Sequence, residues 1–175
     1  MITSKLIELG ACSDAKEWAK GKSWQEIFTT CHRGDWLLWL FRKVNPDDLQ
    51  KLTLAKAHCA NTVRHLMKDD RSKNAIDVAI KFGNGVATRD ELNAAAVAAY
   101  AYAAYAAADA AADAAADAAD AAAAYAAAAD AAADAAAADA ADVDRKKARE
   151  ENRMLTANIC RQYLPIEIWN IVDEN

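Results

Sequence analysis

Between Gly85 and Pro165 the chain contains neither glycine nor proline, and this constrains the fold more than any other feature. An unbroken helix over that span would be roughly 120 Å long at about 1.5 Å per residue, far too long for a body of 175 residues. The interior of the span is nearly pure alanine and aspartate, "DAAADAAADAADAAAAYAAAADAAADAAAADAAD" from Asp109 to Asp142. Alanine has the highest helix propensity of any residue, so the chain must turn without its usual punctuation. The aspartates indicate where. Asp109, Asp113, Asp117 and Asp120 step by 4, 4 and 3, and Asp130, Asp134, Asp139 and Asp142 step by 4, 5 and 3. Such a two-copy repeat predicts two helices folded back near Ala121–Ala129, followed by a third from Asp142 or Asp144 through Leu164.

The flanks carry the helix punctuation and the bulk of the core. Of 39 Leu, Ile, Val, Phe, Met and Trp residues, only Val97 falls between Ala94 and Asp142. Burying a Leu- or Phe-sized side chain is worth roughly 1.5–3 kcal/mol and alanine offers far less, so the core must come from residues 1–86 and 143–175. Ser13 or Asp14 caps a short helix through Lys20, and Ser23 caps another through Cys31. "RGDWLLWLFRKV" then has Gly34 as a break and Asp35 as a cap, and it is apolar on every side, as expected of a buried helix. "NPDD" signals a start, with Asn45 as cap and Pro46 in the first turn. That helix is expected to reach Met67 with Leu52, Ala55, Cys59, Val63 and Leu66 on one stripe. Ser72 begins the next, through Ala75, Ile76, Ala79, Ile80 and Phe82, and "GNG" ends it. "TRDE" at Thr88–Glu91 reads as a capping box. No alternating strand pattern of any length occurs. The expected fold is all-α, a helical bundle with an alanine/aspartate-rich helical hairpin or long-helix arm. Residues 1–87 would form the body, 88–142 the arm, and 143–175 a C-terminal helix packing on the body.

Charge divides along the same line. From Asp90 to Asp144 there are eleven acidic residues and no Lys or Arg, while the remainder holds 21 basic and 15 acidic residues, a net of +6. On a helix, Asp109, Asp113, Asp117 and Asp120 fall within an arc of about 80°, and Tyr102 and Tyr105 extend that stripe. Neighbouring carboxylates about 6 Å apart repel by about 0.7 kcal/mol in water, which a helix tolerates. Three roles fit such a row. Aspartate can simply keep an alanine surface wet, although a row selected for solubility would ordinarily mix Glu and Lys pairs. The row can face a basic partner, since its i,i+4 spacing is close to the phosphate repeat of a nucleic-acid strand and would suit the cationic groove of a DNA-binding protein. Or it can dock on the protein's own basic body, or on that of a second copy. Ice binding lacks the usual threonine ladder, and direct nucleic-acid binding is disfavoured by the charge.

Other candidates are weaker. Cys12, Cys31, Cys59 and Cys160 are scattered and are expected as free buried thiols in a reducing cytoplasm. His32, His58 and His65 with Cys31 and Cys59 lack the short-spaced pairs of a zinc site, so no metal or other cofactor is expected. "RGD" at Arg33–Asp35 is a turn and helix cap, "CHRGDW" would suit a small polar pocket beside the tryptophans, and "RKKAR" at Arg145–Arg149 is a solvated helix turn. No nucleophile with a base, phosphate-binding glycine loop or paired acid is present, and the chain is expected not to be an enzyme. The longest apolar stretch outside the alanines, Trp36–Phe41, is too short to span a membrane, and the N-terminus lacks the features of a signal peptide.

"CHRGDWLLWLF", "KLTLAKAHCANTVRHLMKDDRSKNAIDVAIKFGNGVAT" and the alanine-rich run that follows resemble the alanine-rich immunity proteins of bacterial and phage genomes, with Lys51–Thr88 the most specific block. The resemblance covers most of the chain and implies a small, helical, cytoplasmic protein that neutralises a toxin by binding. Together with the charge pattern, it makes Asp109, Asp113, Asp117, Asp120, Asp130, Asp134, Asp139 and Asp142, with Tyr102 and Tyr105, the expected contact surface for a basic toxin, nuclease or other DNA-binding protein. The alternatives are an oligomerising module whose arm docks on its own body, and a phage anti-defence protein acting as a DNA mimic or a sponge for small nucleotides.

Overall fold

A computed structural model describes residues 2–107 and 142–165. Those residues are all-helical, with no strands. In chain order the helices are α1 (Ile2–Glu8), α2 (Ser13–Trp18), α3 (Trp24–Thr30), α4 (Gly34–Val44), α5 (Leu49–Asn61), α6 (Asp70–Gly83), α7 (Arg89–Ala107) and α8 (Asp142–Tyr163), with a single 3-10 turn at Arg64–Leu66 after α5.

Two apolar clusters form the core, and α5 lies between them. The larger joins α1 to α4 with one side of α5 and with α8, around Leu6, Trp24, Phe28, Leu37, Phe41, Leu52 and Leu164. The smaller joins the other side of α5, at Ala57, to Ala75, Ala79 and Phe82 of α6 and to Leu92 and Ala95 of α7. Helix α5 can serve both because its central positions are small. Ala55, Ala57, Cys59 and Ala60 are each no more than 1% exposed, and they lie on several faces of the helix. The single stripe expected from sequence is therefore only half of its buried surface. Leu66, assigned to that stripe, is exposed because α5 ends at Asn61. There the Thr62 hydroxyl donates to the Cys59 carbonyl at 2.7 Å, and Arg64 turns back to donate to the Lys73 carbonyl and the Asp77 carboxylate of α6.

Several helix starts follow the sequence closely. The Ser23 hydroxyl accepts from the Glu26 amide while the Glu26 carboxylate accepts from the Ser23 amide, and Thr88 and Glu91 repeat the arrangement at α7. Helix α6 closes through Gly85, whose φ of +73° lets the Val86 amide reach the Lys81 carbonyl at 2.8 Å, the Schellman pattern. Helix α8 is described from Asp142 onward, the point at which the described residues resume.

Others differ for local reasons. Asp35 does not cap α4, because the Arg33 guanidinium holds its carboxylate; the helix begins at Gly34 with Arg33 as an extended N-cap. Asn45 closes α4 by donating to the Phe41 carbonyl at 2.8 Å, so Asp48 takes over as cap of α5 and accepts from the Lys51 amide at 3.0 Å. Helix α6 starts at Asp70, ahead of Ser72, where Lys73 pairs with Asp70 one turn on. Cys12 is exposed, at the N-cap of α2, whereas the other three cysteines are buried.

Two glycines set how closely helices approach. A Cβ on Gly34 would stand 2.7 Å from the Thr156 carbonyl carbon of α8, and one on Gly83 would stand 2.5 Å from Cβ of Leu54 on α5. Because the Thr156 obstruction is backbone, Gly34→Ala must push α4 and α8 apart. We expect it to destabilise the fold by about 1–3 kcal/mol, as overpacking generally does, despite the better helix propensity of alanine. Urea unfolding of Gly34→Ala beside Ser23→Ala measures this; the latter loses a cap worth about 0.5–2 kcal/mol.

Candidate functional site

The chain enters and leaves the aspartate-rich stretch through helices anchored in different cores. Helix α7 packs Leu92, Ala95 and Ala96 inward, while Val97 and Tyr100 face solvent. Tyr102 and Tyr105 fall on its last turns. Asp142 is the first residue of α8, and Ala157, Cys160 and Leu164, spaced three and four apart, bury that helix between α4 and α5. Arg161 fixes it to α3, donating to the Phe28 carbonyl at 2.8 Å and to the Cys31 carbonyl. Both are end-of-helix acceptors that the helix itself leaves unpaired. Asp109, Asp113, Asp117, Asp120, Asp130, Asp134 and Asp139 lie outside the described residues, as do the expected fold-back near 121–129 and the terminal segment with Trp169 and Val172. Directly after the aspartate row, Lys146, Lys147 and Arg149 of "RKKAR" are exposed on α8, with Lys147 and Glu151 3.9 Å apart.

A second concentration of functional side chains occupies the corner where α2 meets the start of α4. The rings of Trp18, His32 and Trp36 form a triangle with centroids 6.0–6.2 Å apart. A cation caps each tryptophan, Lys22 at 4.6 Å above Trp18 and Arg33 at 4.9 Å above Trp36, a favourable arrangement for ring quadrupoles. Arg33 also grips Asp35, so the "RGD" tripeptide is folded on itself. The signal for this corner was present in the sequence, since a cation lies close to each tryptophan, Lys22 four residues after Trp18 and Arg33 three before Trp36. The expected polar pocket beside "CHRGDW" is instead a cavity of about 30 Å³ walled by Trp18, Trp36, Trp39, Leu37, Leu40 and Cys31. That is room for about one water molecule, and no nucleotide fits it.

Among the described residues no three His, Cys, Asp or Glu side chains converge in a geometry that could hold a metal ion. His58 is instead stacked on Tyr163, with ring centroids 4.2 Å apart and planes 4° from parallel, and burial pushes its pKa down. Burial likewise raises the Cys31 thiol. Cys160 is raised well above the ordinary thiol value, first by its hydrogen bond with Cys59 and then by burial. At rest, neither the Cys31 nor the Cys160 thiol has the lowered pKa and access of an activated nucleophile.

The paired charge nearest the α5–α6 junction is Arg64 with Asp77, joined by two hydrogen bonds of 2.6 and 2.8 Å. Those bonds, with the charges of Arg64 and Lys81 assisting, hold the Asp77 carboxyl below its ordinary value of 3.8. A carboxyl lowered by folding adds stability that is complete above its unfolded pKa and is lost as pH falls through the folded one. With both side chains a third or more exposed, the pair is worth about 1 kcal/mol at most. Arg64→Met should therefore be less stable than wild type by up to about 1 kcal/mol near neutrality. The gap should narrow as pH falls through the lowered pKa of Asp77, leaving only the loss of the Arg64 bond to the Lys73 carbonyl. Urea midpoints across that pH range provide the check.

Set beside known protein families, curated proteins and solved structures, the chain matches none. No helix among the described residues is long and apolar enough to cross a membrane.

Proposed function

We propose that this is a non-enzymatic binding protein that neutralises a basic macromolecular partner, with the aspartate row from Asp109 to Asp142 as its recognition surface. One observation carries the reading. Eleven acidic residues stand between Asp90 and Asp144 without a single Lys or Arg, and eight of them recur at helical spacing on alanine. Uncompensated charge of one sign raises the rate at which an oppositely charged partner is met and selects for it. At a spacing of about 6 Å per i,i+4 step, 1.5 Å per residue, the carboxylates repeat on the scale of phosphates along a nucleic-acid strand. The partner is then a protein whose own ligand is DNA or RNA, such as a nuclease toxin or a DNA-binding defence protein. This agrees with the resemblance of "CHRGDWLLWLF" and Lys51–Thr88 to toxin-neutralising immunity proteins, which act in the cytoplasm.

A second reading, that the row docks on the protein's own basic part or on a second copy, is favoured by the net +6 of the remaining sequence and by the exposed Lys146, Lys147 and Arg149. Affinity capture from a bacterial lysate separates the two. The comparison is between wild type and a variant with Asp→Asn at 109, 113, 117, 120, 130, 134, 139 and 142. A basic nucleic-acid-binding protein retained by wild type and released by the variant is the expected result. Equal retention by both would move the contact surface away from the aspartates and sink the proposal.

A further inference from the structure

Sulfur is placed with unusual economy in this core. The other small buried positions on the facing helices, Ala55, Ala57 and Ala60 of α5 and Ala157 of α8, are alanine. Cysteine occurs on these helices only at Cys59 and Cys160, and there the two side chains meet, with sulfurs 4.0 Å apart. Each thiol also reaches a backbone carbonyl on a neighbouring helix. Cys160 lies 3.5 Å from the Gly34 oxygen of α4, and Cys59 lies 3.7 Å from the Thr156 oxygen of α8.

We propose that Cys59 and Cys160 are a two-electron redox pair, which a small hydroperoxide converts to a disulfide that ties α5 to α8. In the first step the Cys59 sulfur, having given up its proton, attacks the peroxide O–O bond. That bond breaks, the distal oxygen leaves with the proton as water (or as an alcohol), and Cys59 becomes a sulfenic acid. In the second step the Cys160 sulfur attacks the Cys59 sulfur. The S–S bond forms, the S–O bond breaks, and the departing hydroxide takes the Cys160 proton as a second water. The two thiols lose two hydrogens and two electrons, and the peroxide takes up both. Cys160 takes the resolving role because its sulfur stands 4.0 Å from that of Cys59, and its proton passes to the departing hydroxide as it attacks. Both sulfurs are at most 1% exposed, so the reaction waits on local opening and admits only a small oxidant. The closed loop, residues 59–160, contains the whole aspartate-rich stretch, and a loop of that length removes much entropy from the unfolded chain.

The test uses the full chain with Cys12→Ser, which removes the exposed thiol. It is treated with hydrogen peroxide until Cys12 of a parallel wild-type sample is fully oxidised, then unfolded, alkylated and mapped by mass spectrometry. The expected product is a Cys59–Cys160 cross-link lacking two hydrogens, with Cys31 still alkylated. Its Tm should be several degrees higher and return to the starting value on reduction. Cys160→Ala in the same background should give no cross-link and leave Cys59 trappable as sulfenic acid. Three freely alkylated thiols, oxygen addition without a cross-link, or a bridge through Cys31 would each overturn the proposal.

Discussion

Everything in this fold leans on α5, and α5 works because it is thin. Alanine and cysteine at its centre let helices close in from two sides, α4 and α8 across one face and α6, which in turn carries α7, across the other. Close-packed interiors tolerate little change in volume, so the glycines at the helix crossings follow from the same economy. Gly34 admits α8 against α4, and Gly83 admits α5 against α6. A larger side chain at Ala55 would have to be absorbed by the larger cluster, and one at Ala57 by the smaller.

That double core also accounts for how the chain can carry so long a stretch of alanine. The stretch itself has almost no large apolar side chains to contribute, and isolated helices gain most of their stability in proteins from tertiary packing. Leu92, Ala95 and Ala96 secure the helix that leads into it, and Ala157, Cys160, Arg161 and Leu164 secure the helix that follows it. The apolar cost of the stretch is therefore met on either side of it, and its own residues are free to be chosen for charge.

Much of this was legible in the residues. The cap at Ser23, the capping box at Thr88 and the stop at Gly85 were all readable, because each rests on hydrogen bonds between near neighbours in sequence. Departures arose where a distant or competing partner decided the outcome. Arg33 claimed the carboxylate that Asp35 would have used as a cap, Asn45 served the helix before it, and Arg64 drew the chain out of α5 toward Asp77. The second buried face of α5 was hidden because alanine gives periodicity analysis almost nothing to register. The meeting of Cys59 with Cys160 was hidden because their separation of 101 residues leaves no local trace. The aromatic corner could have been found from cations placed three or four residues from Trp18 and Trp36.

In the proposed function the aspartate row faces a different molecule and is not consumed by the protein's own basic residues. Thermal unfolding of the pure chain at low salt, wild type against the eight-site Asp→Asn variant, tests it most directly. Asp and Asn have similar helix propensities, so the comparison isolates charge. A row directed outward carries only mutual repulsion in the free protein. The variant should then melt at the same temperature as wild type or a few degrees higher, with the difference vanishing as salt screens the charges. A variant that melts lower at low salt, and converges with wild type as salt rises, would mean that the carboxylates are already paired within the protein or with a second copy, and would contradict the claim.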